Sequence, residues 1–438
     1  MGIRVCKFGG TSMADASSVR QVAKIVLSDP DRKFVVVSAP GKRFSGDEKI
    51  TDLLYKSFGE AQANDEKKSF SKVCERFLCL EKELGINADV GEFLSDIEKR
   101  IGVSENPDYC ASRGEFLSAK ILAKYLGFEF VDPADFVKFS MDGSFNPEFS
   151  NDLASKILKR NPCGAVIPGF YGADDDGNVK TFSRGGSDIT GAVVARAVGA
   201  DVYENWTDVD GFLSADPRIV EHPKLMKSLT YTELRELAYM GANVLHPESI
   251  FPVRLAGIPI NIKNTFNPDS PGTMIVPDDK ADAQSAVVTG IAGKTGLVAL
   301  NISKQMMNAE VGFSRKLLSV LEQCGISYEH LPSGVDSLSL VISGSEIGGK
   351  MEKVINRIRS AVNPDSISVQ GELSLVAVVG KNMKNTRGTG AKALTALADA
   401  GISVRMIDQG ASEINIILGV DTCDYKRAVN AVYQAFFK

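Results

Sequence analysis

The chain has 438 residues and a formal net charge of -5, with 44% hydrophobic and 24% charged residues. This length predicts two to three domains, the acidic balance argues against a nucleic-acid-binding surface, and no apolar run approaches the roughly 18 residues of a membrane helix. The seven scattered cysteines lack C-x-x-C spacing and the three histidines lie far apart, so we expect free thiols in a reducing cytoplasm and no structural metal site.

The first predicted element is a short apolar strand, with Ile3 and Val5, that ends at Lys7 and the pair Gly9-Gly10. Adjacent glycines let backbone N–H groups approach an anion, and a lysine is a point charge suited to phosphate. Thr11 and Ser12 follow as N-cap candidates for a helix over about 13–27, whose N-terminus also favours an anion. The pattern predicts a phosphate site or, as the plainer alternative, an ordinary strand, turn and helix.

Strands and helices alternate from residue 1 to about 280. Continuous apolar runs at 34–38, 165–170 and 258–262 are typical of buried parallel strands. Residues 111–126 form an amphipathic helix pattern, and residues 59–110 are charged and helical, which favours an inserted helical subdomain or lid. The alternation predicts a mostly parallel sheet covered by helices on both faces.

An acidic cluster at Asp174, Asp175 and Asp176 precedes Gly177-Asn178. A cation site is one interpretation, but Asp-Gly between two strand-like segments favours a hairpin turn. The turn-rich segment 267–272 closes the first domain, which we place at residues 1–281.

A second glycine pair stands in the segment Ser183–Asp188, before a helix pattern at 189–198. Arg184 supplies a fork-shaped cation and Asp188 a carboxylate. Two glycine turns that each carry a cation predict two walls of a site for phosphate and a carboxylate-bearing substrate. The alternative is a tight turn with a solvated arginine.

The last 140 residues contain an internal repeat at an offset of 76 residues, the difference between Gly401 and Gly325. The aligned pairs, all without gaps, are 316–327 with 392–403, 338–342 with 414–418, and 297–302 with 373–378. The pattern predicts two ferredoxin-like βαββαβ modules, at 290–370 and 371–438. Gly388, Gly390 and Asp408 imitate a dinucleotide motif, but no strand directly precedes the glycines, so we expect no NAD site.

Together these motifs resemble the aspartate kinases of the amino-acid kinase superfamily over the whole length. The segments that carry the resemblance are Lys7–Ser12, Gly114-Glu115, Gly169-Phe170, Ser183–Asp188, Trp206–Gly211, Asp216–Arg218 and Leu245–Pro247. The repeat resembles the paired ACT domains of such enzymes. The resemblance implies an α/β fold, with a mostly parallel central sheet sandwiched by helices and two ferredoxin-like ACT domains.

The activity implied is transfer of the γ-phosphoryl group of ATP, with Mg²⁺, to the β-carboxylate of L-aspartate. The product would be 4-phospho-L-aspartate, in the first step of lysine, threonine and methionine biosynthesis. Phosphoryl transfer requires that the reacting groups be positioned and that the charge of the phosphoryl group be neutralised. The resemblance implies that Lys7 neutralises this charge and that Asp188 orients Lys7. An attacking carboxylate is already ionised at neutral pH and needs no general base.

The resemblance also implies binding roles. Arg184 would hold the α-carboxylate of aspartate and Glu115 its ammonium group. The remaining positions that match the substrate pocket are Ser38, Thr51, Phe170 and Ser187. The positions that match the ATP site are Lys7, Gly9, Gly10, Thr11, Thr207, Asp208, Phe212, Asp216 and Arg218.

Four positions carry further expectations. Phe212 and Leu213 occupy a place where a tyrosine is common. Asn243 stands where many relatives have a phosphate-contacting lysine, so we assign Asn243 no catalytic role. His246 is expected to serve a turn and packing.

The ACT pair implies feedback regulation by an end-product amino acid, with lysine preferred over threonine. The positions that match an effector site are Met306, Ala309, Gly312, Phe313, Tyr328 and Glu329. Exposed ACT edges predict a homodimer or homotetramer.

Two alternatives remain open from the sequence. One is another kinase of the superfamily that acts on acetylglutamate, glutamate or UMP. The other is a catalytically dead amino-acid sensor that uses only its ACT pair, against which the intact Lys7, Arg184 and Asp188 argue.

Overall fold

The computed structural model describes residues 2–103, 106–161, 163–242, 245, 247–280 and 286–438. The chain divides into two units. The first unit contains residues 1–212, 225–234 and 243–281, and the second contains residues 213–224, 235–242 and 282–438. The second unit thus takes two short segments from within the first 281 residues, which no sequence pattern indicated.

Parallel strands form the centre of the first unit. Its described strands are β1 (Arg4–Phe8), β2 (Arg32–Val37), β3 (Glu129–Phe130), β4 (Ala165–Pro168), β5 (Tyr171–Ala173), β6 (Val179–Thr181), β7 (Val202–Thr207), β8 (Ser228–Thr230), β9 (Ile260–Asn264) and β10 (Thr273–Val276). Eight of them form one sheet in the order β3-β4-β2-β1-β7-β9-β10-β8. Neighbouring strands are parallel except for the antiparallel pair β9 and β10.

Helices surround this sheet. The described helices up to residue 255 are α1 (Ala16–Leu27), α2 (Ile50–Gln62), α3 (Lys68–Leu84), α4 (Val90–Val103), α5 (Pro107–Leu126), α6 (Pro147–Leu158), α7 (Gly186–Val198), α8 (Tyr231–Tyr239) and α9 (Phe251–Leu255). Local sequence explains several ends. Asn106 and Asn146 cap α5 and α6 and are each followed by a proline at the first helical position, a favoured combination. Among the described residues, no helix combines enough length with enough apolar character to cross a bilayer.

The elements predicted near the N-terminus and the acidic cluster agree with the structure. The helix expected over about 13–27 is α1, which starts at Ala16 after a short 3₁₀ turn. The predicted caps Thr11 and Ser12 are wrong, because both lie within that turn and the side chain of Asp15 caps α1 by accepting from the N–H of Ser18. The apolar run from Phe34 is β2, whose last four residues are buried. The acidic cluster lies in the turn of the β5–β6 hairpin, where the N–H of Asp174 donates to the carbonyl oxygen of Asn178, which confirms the hairpin interpretation.

The second unit is built on an antiparallel sheet. Its described strands are β11 (Gly290–Ser303), β12 (Ser337–Ser343), β13 (Ser366–Val379), β14 (Met406–Asp408) and β15 (Asn415–Asp421), in the order β12-β11-β13-β15-β14. Its described helices are α10 (Phe313–Gln323), α11 (Gly344–Ile347), α12 (Met351–Val362), α13 (Thr389–Asp399) and α14 (Tyr425–Phe437).

Two hydrophobic cores correspond to the two repeats. The first contains Leu300, Leu317 and Ile358, and the second contains Leu397 and Val432. The second core also takes in Ala215, Val220 and Val288, which precede the first predicted module, and Ile291 at the start of that module. The long strand β11 therefore serves both cores, since its first residues pair with the end of β13 and its later residues pair with β12.

Candidate active site

The loops that follow β1, β2, β4 and β7 emerge at one edge of the large sheet, because these four strands are parallel neighbours. Ligands of open α/β sheets bind at this carboxyl edge. Most of the catalytic and substrate-binding residues predicted from the sequence lie on these loops or on the helices that adjoin them.

Lys7 and Asp188, the predicted catalytic pair, are in direct contact. The Nζ atom of Lys7 lies 2.7 Å from Oδ1 of Asp188, and both side chains are largely shielded from solvent. Asn205 donates from Nδ2 to the same Oδ1 atom at 2.8 Å. Lys7 and Asn205 are register partners on β1 and β7, so their side chains share one face of the sheet. Sequence reasoning missed Asn205, although an asparagine within an otherwise buried strand was a possible signal.

The glycine turn after β1 packs against the loop after β2. The N–H of Gly41 donates to the carbonyl oxygen of Gly10 at 2.7 Å, and a Cβ atom on Gly10 would lie 3.0 Å from the carbonyl oxygen of Ala39. The N–H of Gly9 donates to the carbonyl oxygen of Trp206. Within the described part of the chain, the N–H groups of Gly10 and Thr11 have no acceptor. The N–H groups of Gly10 and Thr11 are therefore free to bind an anion. The N–H group of Gly9, which was expected to take part, already donates to the carbonyl oxygen of Trp206.

The second glycine turn begins α7 and crosses the loop after β4. A Cβ atom on Gly169 would lie 2.6 Å from Cβ of Ser187, and one on Gly186 would lie 2.8 Å from Cα of Phe170. Phe170 itself has a φ angle of +78°. The close crossing explains the two glycines and places Phe170 and Ser187 side by side at the start of α7.

The first turn of α7 offers a cationic environment. Its first N–H groups point out of the helix and carry the positive end of the helix dipole. Arg184, directly before the N-cap residue Gly185, is exposed and has no hydrogen bond or ion pair to any residue that the structure describes. Lys7 reaches the same helix turn through Asp188. Both predicted cations therefore adjoin one helix terminus.

Glu115 is a buried carboxyl group on α5. It is 5% exposed, and its Oε2 atom has no hydrogen-bond partner among the described residues. Burial raises the pKa of Glu115 to about 8, against the opposing effect of hydrogen bonds from the backbone of Ala39 and of Glu115 itself. A buried carboxyl with a free oxygen is suited to receive an ammonium group, which would restore its charge and complete its hydrogen bonds.

The other predicted substrate-binding residues lie near these loops. Ser38 follows β2, and its N–H donates to the carbonyl oxygen of Phe8. Thr51 is the second residue of α2 and is half-buried. Both side chains keep part of their surface accessible.

The predicted nucleotide segment is divided between the two units. Thr207 Oγ1 donates to Oδ1 of Asp208 at 3.2 Å, and Asp208 is exposed. The ring of Phe212 is 1% exposed, so it has almost no surface with which to stack on a base. Asp216 and Arg218 belong to the second unit and pair with each other at 2.7 Å. Asn243 and His246 lie outside the described residues.

The predicted effector residues lie in the first ACT-like module, and only Phe313 is part of its hydrophobic core. Met306 is 72% exposed, with a φ angle of +56°, and Gly312 caps α10 in the left-handed region. Ala309 and Tyr328 are exposed, whereas the ring of Phe313 is buried. Phe313 therefore contributes to the core of the module.

Glu329 already has a cationic partner. The Nζ atom of Lys294 lies 2.5 Å from its Oε1 atom. Burial raises the pKa of Glu329, but hydrogen bonds from Lys294 and Tyr239 outweigh burial, so the pKa lies below its usual value. Sequence reasoning missed Lys294, which lies in the long strand just before the repeat becomes recognisable.

Comparison with protein families gives two matches. Residues 2–264 match the model of the amino acid kinase family, and residues 376–436 match an ACT domain model. These matches define the class of the protein, a kinase domain followed by an ACT domain.

Individual relatives agree over the full length. Aspartokinase 3 of Bacillus subtilis is 40% identical over 450 residues, which cover 99% of both chains. The chloroplastic aspartokinase 1 of Arabidopsis thaliana is 30% identical, over 99% of this chain and 80% of that protein. The chain belongs to the aspartokinases of the amino acid kinase family.

Solved structures are similar too. The crystal structure of Clostridium acetobutylicum aspartate kinase has a TM-score of 0.92 and 48% identity, with complete coverage of both chains. Escherichia coli aspartokinase III, solved with aspartate and ADP, shares the fold at 24% identity and a TM-score of 0.76. These findings confirm the family resemblance, the α/β amino-acid kinase fold with a C-terminal ACT domain, and the assignment as a kinase.

Proposed function

We propose that the protein transfers the γ-phosphoryl group of ATP to the β-carboxylate of L-aspartate and forms 4-phospho-L-aspartate. The observation that carries this proposal is the contact between Lys7 and Asp188 at 2.7 Å. It lies beside two groups of backbone donors, the N–H groups of Gly10 and Thr11 and those of the first turn of α7. This arrangement suits a transferring phosphoryl group, whose charge is spread over several oxygens.

Lys7 is the mobile cation of the proposed reaction. In the structure Asp188 holds the ammonium group of Lys7, and bound phosphates compete for that group with greater charge. Gly10 and Thr11 donate to the phosphate oxygens. Mg²⁺ accompanies the nucleotide and neutralises phosphate charge, held chiefly by phosphate oxygens and water. The β-carboxylate attacks in its ionised form, so no side chain has to remove a proton.

Aspartate is held at its α-amino acid end. Arg184 has an exposed guanidinium that suits the α-carboxylate, and the buried Glu115 suits the ammonium group. Ser38, Thr51, Phe170 and Ser187 complete the proposed pocket. Thr207, Asp208, Asp216 and Arg218 remain the proposed contacts to the nucleotide, and the burial of Phe212 limits that residue to a backbone contribution.

A hydroxylamine-trapping assay tests the reaction, since acyl phosphates react with hydroxylamine to give hydroxamates. With ATP and Mg²⁺, we expect hydroxamate from aspartate and none from glutamate, acetylglutamate or other acceptors. Product from a different acceptor would select another kinase of the superfamily, and no product from any acceptor would select the sensor alternative. Lys7→Ala should abolish turnover without unfolding the chain, whereas Lys24→Ala, on the exposed surface of α1, should leave it unchanged.

The proposed regulator is an amino acid end product, lysine in preference to threonine, that binds to the first ACT-like module. The loop at 304–312 begins where β11 ends, and the last residue of β11, Ser303, pairs with Ser337 of β12. Glu329 lies beside a different part of β12, because its N–H donates to the carbonyl oxygen of Val341, four residues further along that strand. These two parts of the predicted effector site are thus separated by about 13 Å along the strands, which exceeds the length of one free amino acid. We propose that a second copy of the chain, in the opposite orientation, supplies the loop beside Glu329, so that the effector site forms in a homodimer or a larger assembly.

The same proposal places the reaction at the first step of lysine, threonine and methionine biosynthesis, in the cytoplasm. The seven cysteines are all unpaired thiols, in keeping with a reducing compartment. Sedimentation with and without lysine distinguishes a dimer from a tetramer. A monomer that lysine still inhibits would contradict the shared effector site.

A further inference from the structure

Asn205 is a polar side chain in the buried centre of the large sheet. It lies on β7 and is 4% exposed. Its Nδ2 atom donates at 2.8 Å to Oδ1 of Asp188, the same oxygen that accepts from Lys7 at 2.7 Å. One carboxylate oxygen therefore has two donors, one charged and one neutral.

The alternation of β7 directs Asn205 to this oxygen. Its neighbours Glu204 and Trp206 lie on the other face, where they contact Cys6 and Phe8 of β1. Tyr203 shares the face of Asn205, and its hydroxyl donates to the backbone carbonyl oxygen of Asp188. A Cβ atom on Gly191 would collide with that tyrosine hydroxyl, so α7 rests closely on β7. The strand thus holds Asp188 by its side chain and by its backbone.

We infer that Asn205 is a positioning residue that keeps Asp188 in place while Lys7 moves to the transferring phosphoryl group. The inference rests on the proposed kinase reaction. When Lys7 leaves, Oδ1 of Asp188 loses its charged donor in a largely buried setting, where an unsatisfied carboxylate is costly. The amide of Asn205 keeps one hydrogen bond to that oxygen without adding a competing charge. Asp188 consequently stays correctly placed to receive and orient Lys7 in every cycle.

A neutral donor also weakens the hold of Asp188 on Lys7. When two donors share one carboxylate oxygen, each hydrogen bond is weaker than the single bond to an oxygen that has only one donor. Removal of the amide therefore leaves Lys7 more tightly paired with Asp188 and less available to the phosphoryl group during its transfer. The effect falls on the chemical step rather than on substrate binding, because Asn205 is not among the residues proposed to touch either substrate.

The first test is Asn205→Leu, which keeps the approximate shape and removes the donor. We expect kcat to fall about 10–100-fold, the range of a lost hydrogen bond to a charged group, while KM for ATP and aspartate changes less than about threefold. In an Asp188→Asn background the same substitution should cost almost nothing further, since both changes interrupt one interaction. Additive losses in the double variant, or wild-type kcat in the single variant, would overturn the inference.

A matched control is Asn261→Leu on the neighbouring strand β9. Asn261 is the register partner of Glu204 and so belongs to the opposite face from Asn205. Its replacement should leave kcat unchanged. If it lowers kcat as much as Asn205→Leu does, replacing any asparagine of the sheet by leucine impairs the enzyme, and the positioning role of Asn205 is wrong.

The Asn205→Asp variant decides the matter if Asn205→Leu does not fold. A protonated acid at this position can donate to Asp188 as the amide does, whereas an ionised one repels it. We expect kcat of this variant to decline towards higher pH relative to wild type, and a parallel pH profile would contradict the role. Wild-type protein that yields no hydroxamate from aspartate would instead overturn the proposed reaction itself.

Discussion

Gly114 and Ala39 meet at a distance that excludes any larger side chain: a Cβ atom on Gly114 would lie 2.7 Å from Cβ of Ala39. Helix α5 therefore packs directly against the loop that follows β2. Glu115, the next residue, becomes buried beside the N–H of Ala39, which acts on its carboxyl group. The glycine thus brings a carboxyl group of unusual pKa to the edge of the sheet where the substrate is proposed to bind.

Gly114→Ala should destabilise the chain and weaken aspartate binding. The added methyl group also lies 3.1 Å from Cγ2 of Ile50, and overpacking of this kind costs about 1–3 kcal/mol. Urea unfolding and the KM for aspartate measure the two effects. Gly59→Ala is the control, since a Cβ atom there meets nothing within 4 Å, and alanine in a helix should stabilise by roughly 0.5–1 kcal/mol. Equal effects at both positions would contradict the packing argument.

The KM for aspartate should fall as pH rises towards about 8, the raised pKa of Glu115. Below this pH the carboxyl is mostly neutral, and a proton has to leave before the group can pair with the substrate ammonium. The expected change approaches tenfold per pH unit well below the pKa. Glu115→Gln should remove this dependence, and the KM for ATP should not follow it. A flat aspartate KM in the wild type would separate Glu115 from the ammonium site.

Stability gives an independent measure of the same pKa. The folded chain holds this proton up to about pH 8, whereas an ordinary glutamate releases it near 4.5. The contribution of Glu115 to stability is therefore present below about pH 4.5 and is lost as pH rises to about 8. Glu115→Gln should gain stability relative to wild type over this window, as thermal unfolding at several pH values would reveal. A constant difference between the two proteins would contradict the raised pKa.

Glu204 should be a principal source of stability in the first unit. It is buried, and its carboxylate accepts from Arg32 and from the indole of Trp206, each at 2.9 Å. Burial raises the pKa of Glu204, but the bonds from Arg32 outweigh it, so the pKa lies below its usual value. Glu204→Ala leaves the largely shielded guanidinium of Arg32 without its carboxylate and should cost about 3 kcal/mol in urea unfolding near pH 7.

The loss of stability in Glu204→Ala should diminish at acid pH. A carboxyl group with a depressed pKa contributes stability above its ordinary pKa, and this contribution disappears as pH falls through the pKa of the folded state. Glu148, whose ion pair with Arg196 lies at the surface, provides the control. Glu148→Ala should change the unfolding free energy little. A small effect at Glu204 would indicate that the surrounding residues relax around the loss.

Local patterns predicted the parallel sheet and both glycine turns, because strand composition and glycine pairs depend on neighbours in the chain. The contact of Asn205 with Asp188 could not be predicted from the sequence, since it depends on how α7 packs against β7. Asp216 and Arg218 were assigned by motif, yet their segment packs with the second ACT-like core through Ala215 and Val220. Sequence spacing alone cannot tell which core receives a short connecting segment.

Lys294 should reduce the sensitivity of the enzyme to lysine. Its ammonium group occupies Oε1 of Glu329 at 2.5 Å, the carboxylate proposed for the ammonium of the effector. The ring of Tyr239 lies 5.3 Å from the same ammonium group, which adds a cation–π attraction. A lysine effector therefore has to displace an internal lysine. Lys294→Met removes this competitor and should lower the half-inhibitory lysine concentration about two- to fivefold, in the range of a partly exposed ion pair.

Inhibition curves for aspartate phosphorylation at increasing lysine concentration measure this change. Lys353→Met, at an exposed position on α12, should leave the curve where it is in the wild type. Threonine lacks the second ammonium group, so the Lys294 substitution should not shift a threonine curve. An unchanged or raised half-inhibitory concentration of lysine in Lys294→Met would mean that Glu329 does not receive the effector ammonium. In that case the pair of Lys294 and Glu329 serves the stability of the module, and its loss should lower the unfolding temperature instead.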